Sequence, residues 1–415
     1  MAKKYDVIIV GARCAGSPTA MLLARKGYRV LLLDRASFPS DTLSTHYIHQ
    51  PGVAQLGRWG LLDEVAASNC PPLMSYTFDV GPFAIKGAPP AVDGFAAGYA
   101  PRRKVLDNIL VKAAVSAGAE LRERFSVEEV LMDGGRVTGI RGHAAGGASV
   151  TEEAHIVIGA DGMRSLVARS VQAPTYNVMP TFTCAYYTYW SDVPVEGVEL
   201  YTRPERMIIA ATTNDGQAMT IVYWPRPDFQ KVRSDIERNF LKALELAPGL
   251  AERVRNGRRS ERFMGTADIP NYFRKPHGPG WALVGDAGYH KDPITAQGIT
   301  DAFHEAEWVS EATDAGLSGR ERLKDALARY EHRRNEAVSP MYGLTGQLAS
   351  LEPPPPEMQQ LFSALRTDQA AASQFFGAVA GITPIPEYFA PENLGRIIGG
   401  TGVAQDVGNP EPALR

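Results

Sequence analysis

Short apolar runs that end in glycine alternate with helical patterns at the start of the chain. The β-branched run from Tyr5 to Val10 stops at Gly11, which is typical of a strand buried on both faces of a parallel sheet. Good helix formers then continue to Arg25, and a second apolar run, 28–33, ends at Asp34. This order predicts a strand–helix–strand unit with two parallel strands.

The rest of the chain extends this pattern. Apolar residues three and four positions apart predict a helix over 103–118, and alternating Thr, Tyr, Val and Ile predict an antiparallel sheet over 180–225. Further expected elements are a small antiparallel meander (125–150), buried strands (155–159 and 281–284), helical patterns (228–256, 298–313 and 320–337) and a non-helical tetraproline (353–356).

These elements predict an α/β protein with a Rossmann-like nucleotide-binding domain, a substrate domain built on a mixed or antiparallel sheet, and C-terminal helices. The nucleotide-binding domain is expected to be discontinuous. The predicted boundaries are 1–75, 100–178 and 276–335 for this domain, 76–99 and 179–275 for the substrate domain, and 336–415 for a C-terminal helical region and tail.

Composition excludes several classes of protein. The 415 residues are enough for two or three domains, and 43 Lys+Arg against 46 Asp+Glu leave no basic surface to expect for nucleic acid. The three cysteines are far apart, so neither a disulfide framework nor a metal site is expected. No apolar run reaches the roughly 18 residues of a membrane span, and the N-terminal apolar run lacks a cleavage region, so a cytoplasmic protein is expected.

The first glycine-rich turn carries candidate nucleotide chemistry. Gly11 and Gly16 lie between a strand and a helix, where backbone N–H groups and the helix dipole can hold a pyrophosphate. Arg13 replaces the second glycine of the GxGxxG pattern, and two interpretations stay open: its guanidinium lies near the phosphates, or it pairs with a carboxylate. Asp34, followed by Arg35, lies at the strand end where an acidic residue accepts hydrogen bonds from ribose hydroxyls.

Two more glycine segments follow predicted buried strands. They are Gly159-Ala160-Asp161-Gly162-Met163-Arg164-Ser165 and Gly285-Asp286-Ala287-Gly288, the second continuing to Pro293 and Gln297-Gly298. With these motifs in this order, the chain over 1–335 resembles the para-hydroxybenzoate-hydroxylase-like flavoproteins. That group includes group A flavin monooxygenases, geranylgeranyl-reductase-type enzymes and flavin-dependent halogenases.

The resemblance implies FAD as the cofactor, bound by the discontinuous domain. It implies that Gly11, Gly16 and Asp34 hold the ADP half, that Arg103 and Asp161 lie near the pyrophosphate, that Gly285 and Asp286 hold the ribityl chain, and that Pro293, Gln297, Gly298 and Ile299 face the pyrimidine side of the flavin. The unpaired N–H groups at a helix start suit the negative charge of reduced flavin at this edge. For Arg103, a surface charge at the start of a helix remains the alternative.

Departures from the family narrow the function. Asp292-Pro293 stands where the aromatic hydroxylases usually have a Pro-Pro pair, which is closer to the reductase and halogenase branches. The chain lacks the WxWxIP segment of halogenases, and Lys86, although it stands in an apolar context as a halide-activating lysine would, is a lone lysine of the kind that is more often a solvated strand residue. These features argue against a halogenase.

Four residues are candidates for catalysis and substrate binding. His46 and His290 are candidate acid–base groups, and His46 is also a candidate flavin ligand, although each also suits an ordinary hydrogen-bonded loop residue. Tyr187 and Tyr189 belong to an aromatic strand that either contacts an aromatic ligand or forms an ordinary sheet core.

The sequence therefore predicts an FAD-dependent monooxygenase, of the hydroxylase or epoxidase type, acting on an aromatic or polycyclic small molecule through a flavin C4a-hydroperoxide. NAD(P)H, directly or through a partner flavin reductase, is the expected electron donor. The main alternative is a carbon–carbon double-bond reductase or dehydrogenase of the geranylgeranyl-reductase type. A flavin-dependent halogenase and a non-enzymatic flavin sensor are less favoured.

Overall fold

The structure is a computed structural model that describes residues 5–400. The first four residues and the predicted tail, 401–415, lie outside the described part. The strands are β1 (Val7–Val10), β2 (Val30–Leu33), β3 (Tyr76–Asp79), β4 (Ala84–Gly87), β5 (Glu120–Arg122), β6 (Phe125–Asp133), β7 (Arg136–Ala144), β8 (Ser149–Glu153), β9 (Ile156–Gly159), β10 (Thr175–Met179), β11 (Thr183–Ser191), β12 (Val198–Arg203), β13 (Arg206–Thr212), β14 (Ala218–Pro225), β15 (Arg258–Arg259), β16 (Met264–Thr266), β17 (Asn271–Arg274), β18 (His277–Gly278), β19 (Trp281–Leu283) and β20 (Tyr289–His290).

Helices separate and cover these strands. They are α1 (Gly16–Arg25), α2 (Gln50–Trp59), α3 (Leu62–Ala66), α4 (Arg103–Ser116), α5 (Leu166–Ser170), α6 (Phe229–Ser234), α7 (Ile236–Leu244), α8 (Pro248–Asn256), α9 (Gly298–Leu317), α10 (Leu323–Ala349), α11 (Pro356–Leu365), α12 (Gln369–Val379), α13 (Ile385–Tyr388) and α14 (Pro391–Gly400). Within residues 5–400, no helix is both long and apolar enough to cross a lipid bilayer.

A six-stranded sheet in the order β18-β19-β9-β1-β2-β5 forms the nucleotide-binding core. β1 pairs in parallel with β2 and with β9, as the buried apolar runs predict. Helices α1, α4 and α9 cover one face of this sheet, and α5 with the β6-β7-β8 meander covers the other. Because β1, β9 and β19 are parallel, the three glycine segments that follow them meet at one edge of the sheet.

A second, larger sheet has the order β15-β11-β14-β13-β12-β3-β4, with β16 also pairing with β11. Its pairs are antiparallel except for β12 with β3. One face packs against α7 and α8, and the other faces the C-terminal helices. The predicted continuous helical pattern over 228–256 is divided into three short helices, because Asp235 caps the start of α7 and Pro248 begins α8.

The C-terminal region differs from the prediction in where its helices lie. α10 continues to Ala349, well beyond the expected end near 337, because buried residues such as Arg334, Val338 and Tyr342 recur every four positions. The predicted boundary at 336 therefore falls inside one helix. The tetraproline forms a loop whose last residue, Pro356, begins α11, where proline is tolerated.

Together these elements confirm the expected fold class, an α/β protein with a parallel nucleotide-binding sheet, an antiparallel second sheet and C-terminal helices.

Candidate active site

The first glycine turn is set by close contact between β1 and β9. Gly11 has a φ of 104°, and a Cβ at this position would lie 2.3 Å from the carbonyl oxygen of Ala160. A Cβ at Gly16 would lie 1.8 Å from the carbonyl oxygen of Gly11. α1 begins at Gly16 without a side-chain cap, so the positive end of its helix dipole lies at the sheet edge.

Asp34 braces this turn from the end of β2. Its Oδ2 accepts a hydrogen bond from the backbone N of Ala12 at 2.7 Å, and its Oδ1 accepts one from the N of Ala36 at 2.8 Å. Arg35, the next residue, is exposed. The carboxylate is therefore fixed at the strand end, and its predicted contact with ribose remains a prediction.

Arg13 has a carboxylate partner beside the first turn, and its predicted place near the phosphates stays a prediction. Its guanidinium contacts the fully buried carboxylate of Asp107 at 2.5 Å and the backbone oxygen of Ser40 at 3.3 Å. Arg103, one turn earlier on α4, donates to the same carboxylate from Nε at 3.0 Å. Arg13 is thus paired with a carboxylate, and two arginines neutralise one buried acid beside the turn.

Arg103 also faces the third glycine segment. Burial by itself lowers the pKa of its guanidinium, but the negative charges of Asp107 and Asp286 raise this pKa above its ordinary value. Asp286 follows Gly285, whose N donates to Glu305 Oε2 at 3.0 Å and whose added Cβ would lie 2.9 Å from that of Ala15. The exposed Asp286 carboxylate is therefore placed beside the start of α1.

Asp161 has a partly structural role in the second glycine segment. Its Oδ2 accepts hydrogen bonds from the backbone N of Leu166 at 2.6 Å and of Val167 at 3.3 Å, at the start of α5. Its Oδ1 is buried and has no hydrogen-bond partner within the described residues. Burial raises the pKa of this carboxyl. Its predicted place near a pyrophosphate is not tested by these contacts.

A tight turn connects the third segment to α9. Pro293–Thr295 form one turn of 3-10 helix, and the buried Asp292 supports it by accepting hydrogen bonds from the Thr183 hydroxyl at 2.5 Å and the N of Ile294 at 3.1 Å. Burial raises the pKa of Asp292 to about 6.

α9 starts at the end of this turn. The helix begins at the exposed Gly298 without a side-chain cap, whereas Ile299 packs into the core. The Gln297 amide donates to the backbone oxygen of Val379 in α12 at 2.7 Å, so it is turned toward the C-terminal helices. The open start of α9 suits a group that carries negative charge.

An apolar cavity of about 100 Å³ lies next to this turn. The second sheet forms one wall through residues such as Ile209 and Ile221, and the turn contributes Ile294–Ala296. The opposite wall comes from α10, α11, α12 and Phe389, and consists of Leu344, Leu348, Met358, Phe362, Phe375, Phe376, Val379 and Phe389. Such an apolar wall would exclude water from a group that is bound beside the turn.

These features fit a dinucleotide cofactor. Several features meet at one sheet edge: two glycine positions where a Cβ would not fit, an uncapped helix start, an exposed carboxylate beside a partly buried arginine, and a buried oxygen without a partner. Residues 4–342 match the family described as FAD binding domain. The chain belongs to this family.

Relatives of this FAD-binding protein have several activities. Over 363 residues, 81% of this chain and 84% of the relative, it is 26% identical to a digeranylgeranylglycerophospholipid reductase of Methanocella arvoryzae. Two solved structures share the fold. The myxobacterial chondrochloren halogenase, a variant of FAD-dependent halogenases, has a TM-score of 0.77 at 21% identity, covering 98% of this chain and 92% of that one. PqsL, a probable FAD-dependent monooxygenase from Pseudomonas aeruginosa, has a TM-score of 0.69 at 20% identity, covering 90% and 99%.

His46 lies close to the cradle of this FAD-binding protein but is directed toward the second sheet. It is fully buried, has a φ of 62°, and its Nε2 bonds to the hydroxyl of Tyr189. Burial lowers the pKa of its imidazole to about 3, so the ring is neutral at physiological pH. Its Nδ1 has no partner within residues 5–400. A catalytic role for His46 remains a prediction.

The predicted substrate tyrosines lie on the cavity side of the second sheet, outside the cavity wall. Tyr187 and Tyr189 pack edge to face with ring centres 5.8 Å apart, and the Arg102 guanidinium lies 3.9 Å from the centre of the Tyr189 ring. Arg102 is held in turn by Asp41 and Glu261. Substrate contact by these tyrosines is untested.

His290 is the other histidine singled out from the sequence. Its Nδ1 bonds to the backbone oxygen of Pro270, and its ring stacks on Tyr272. These contacts anchor it in the small β10-β17-β20 sheet, and a catalytic role for it remains a prediction.

The sequence analysis missed the polar residues of the cavity wall. Tyr47, His49 and Tyr76 all line the cavity and are joined by hydrogen bonds. His49 is only three positions from His46, but it is the N-cap of α2 and its Nε2 donates to the backbone oxygen of Thr295 in the Pro293–Thr295 turn. A histidine at a helix N-cap before Gln50-Pro51 is the sequence feature that could have drawn attention to it.

Proposed function

We propose that this FAD-dependent oxidoreductase is a monooxygenase, of the hydroxylase or epoxidase type, acting on a compact aromatic or polycyclic small molecule. The compact apolar cavity beside the Pro293–Gly298 turn carries the proposal. An aromatic substrate in this cavity would lie against the turn that leads into α9. The apolar walls of the cavity would exclude water from its other sides.

The chain's own residues would bind and orient the reactants. Arg103 would hold the cofactor's phosphates and Asp286 its ribityl portion. The uncapped start of α9 would stabilise negative charge on the part of the cofactor next to it. When bound and reduced, FAD supplies the electrons that activate molecular oxygen. One oxygen atom enters the product and the other leaves as water, with NAD(P)H or a partner reductase supplying two electrons.

Reduction of a carbon–carbon double bond is the second candidate. Two observations favour it: the matched region of the chain is 26% identical to a digeranylgeranylglycerophospholipid reductase, and Asp292-Pro293 departs from the hydroxylase pattern. The size of the cavity favours a compact substrate over a long lipid chain, because about 100 Å³ is of the order of the apolar cavities that hold one small aromatic molecule.

Labelled oxygen separates the two candidates. The FAD-loaded protein, reduced by NADH, NADPH or light, is mixed with indole, indene or naphthalene under ¹⁸O₂, and products are examined by mass spectrometry. We expect a product that carries one labelled atom. If product forms equally fast without oxygen and carries no added oxygen, the proposed function is the double-bond reductase and not the monooxygenase.

A variant that fills the cavity tests where the substrate binds. Ala211 lies in the cavity wall, so Ala211→Phe should abolish product labelling while FAD remains bound and reducible. The exposed Ala67 offers a matched control, and Ala67→Phe should label product as the parent does. Equal labelling by the parent and Ala211→Phe would place the substrate elsewhere.

A further inference from the structure

Five polar side chains lie among the residues that line the apolar cavity. They are Thr45, Tyr47, His49, Tyr76 and Thr295, and each has a hydroxyl or an imidazole that could recognise a polar group of a ligand. The surface of the cavity is nevertheless almost wholly apolar. The hydrogen bonds of these side chains explain the difference and decide which molecules the cavity can bind.

The two tyrosine hydroxyls are paired with each other inside the wall. Tyr47 Oη lies 2.5 Å from Tyr76 Oη, and a Cβ on Gly98 would lie 1.9 Å from the Tyr47 oxygen. The Tyr47 hydroxyl is therefore packed against the backbone of Gly98. Tyr76 Oη lies 3.4 Å from His49 Nδ1 and also bonds to the side chain of Gln50. Neither hydroxyl is left to face a ligand.

His49 and Thr295 are paired in the same wall. A carbonyl oxygen can only accept, so His49 Nε2 donates to the backbone oxygen of Thr295, 3.1 Å away, and both ring nitrogens have partners. Thr295 Oγ1 pairs with Thr345 Oγ1 at 2.9 Å. The half-buried Thr45 adds almost nothing to the polar surface of the cavity. The polar side chains of the lining therefore meet the cavity mainly through their carbon atoms.

The cavity also lacks charge. Its lining within residues 5–400 contains no lysine, arginine, aspartate or glutamate. His49 is neutral near pH 7, because burial lowers the pKa of its imidazole to about 4. A carboxylate or phosphate on a ligand would find no positive partner in this lining, and an ammonium group would find no negative one.

Burial in such a cavity penalises every polar group of a ligand. An N–H, O–H or C=O group gives up its hydrogen bonds to water when it enters, and the paired groups of the wall offer no replacement. A hydrocarbon of the same shape gives up none and gains contacts with the isoleucine, leucine, methionine and phenylalanine side chains of the lining. The cavity therefore discriminates against polarity itself.

We propose that the cavity binds a compact hydrocarbon, an arene or alkene of one or two rings that carries no hydrogen-bonding or charged group. The pairing of Tyr47, Tyr76, His49 and Thr295 within the wall makes the cavity selective. Carbon–carbon double bonds are then the groups of the bound molecule on which either candidate function, oxygen transfer or double-bond reduction, would act. The inference rests on the proposed function only in placing the substrate in this cavity.

Three bicyclic probes of similar shape test the selectivity. Indene offers neither a hydrogen-bond donor nor an acceptor, indole offers an N–H donor, and 1-indanone offers a carbonyl acceptor. Binding to the oxidised, FAD-loaded protein is measured by isothermal titration calorimetry. We expect indene to bind roughly five- to fiftyfold more tightly than either polar probe, the range set by burying one neutral polar group without a partner.

Two kinds of variant test whether the cavity sets this preference. Ala211→Phe fills the cavity and should abolish indene binding, whereas the exposed Ala67→Phe should not. Met219→Gln places an amide in the lining, so the preference for indene should fall below about threefold. Met207→Gln, on the adjacent strand, tests the same loss if Met219→Gln does not fold, with FAD content and thermal unfolding as checks. The exposed Met132→Gln should keep the full preference.

The proposal is overturned if the parent binds indole or 1-indanone at least as tightly as indene, or binds none of the three. It is also overturned if Ala211→Phe binds indene as the parent does, or if both glutamine variants fold and keep the full preference. These outcomes are independent of oxygen transfer, because no turnover is needed. Selective binding of indene without labelled product would refute the monooxygenase and leave the binding preference intact.

Discussion

Glu305 gives the protein a stability that depends on pH near neutrality. This carboxyl is fully buried in α9 beneath the third glycine segment, and its Oε2 accepts from Gly285 N at 3.0 Å. The same oxygen lies 3.0 Å from Tyr330 Oη, which also lies 2.9 Å from the backbone oxygen of Leu283. Tyr330 has one proton, so it can serve both acceptors only if Glu305 is protonated and donates to it.

The magnitude follows from the raised pKa. The pKa of Glu305 is raised from 4.5 to about 7, mainly by burial and to a smaller extent by the charge of Asp301, against the opposing charge of Arg334. At about 1.4 kcal/mol per pH unit, ionisation costs the folded state about 3 kcal/mol. Because the folded pKa lies above the unfolded value, this stabilisation is complete below pH 4.5 and is lost as the pH rises through about 7.

Glu305→Gln should remove the loss of folding stability at rising pH, since glutamine keeps an acceptor for Gly285 and a donor for Tyr330. Urea unfolding followed by tryptophan fluorescence, with FAD in constant excess, gives the free energy of unfolding at pH 5, 6, 7 and 8. Relative to the variant, the parent should lose roughly 2 to 3 kcal/mol across this range. Glu311→Gln, at an exposed position of the same helix, should follow the parent. Parallel curves for the parent and Glu305→Gln would refute the reasoning.

Three further predictions concern the cofactor cradle. A Cβ at Gly298 meets nothing within 4 Å, so Gly298→Asp should fold and lower the flavin midpoint potential by about 10 to 40 mV by placing negative charge at the start of α9, whereas Gly298→Ala should not. Asp286→Ala should weaken FAD binding by about 1.5 to 3 kcal/mol in fluorescence titrations, whereas the exposed Asp63→Ala should leave it unchanged. Gly11→Val should lose both FAD and thermal stability, because its side chain meets Ala160; full FAD occupancy would contradict the cradle.

The elements of the nucleotide-binding domain could be predicted because short-range sequence patterns specify them. The buried run before Gly11 and the helix formers after Gly16 are short-range patterns, and they identify β1 and α1 to within two residues. The spacing of the glycine segments then requires a shared sheet edge, since parallel strands end on the same side. No long-range contact had to be known.

The positions of the candidate site residues depend on contacts that their spacing in the sequence does not reveal. His46 and His49 are only three residues apart, but His46 bonds to Tyr189 of the second sheet whereas His49 lines the cavity. The role of Arg13 likewise depended on Asp107, a residue 94 positions away that α4 brings against the first turn. Such pairings arise only from the tertiary packing of elements that are distant in sequence.

The boundaries of the family match bear on which properties can be carried over from relatives. The match ends at residue 342, but the cavity wall opposite the second sheet is built from residues 344 to 389. The matched part therefore includes the glycine segments, the Pro293–Thr295 turn and the sheet side of the cavity, whereas the helical side of the cavity lies beyond it. Gln297 connects the two by donating from the turn to the backbone oxygen of Val379. An inference about the substrate of this protein therefore has to use its own C-terminal helices together with the matched part, because both line the cavity.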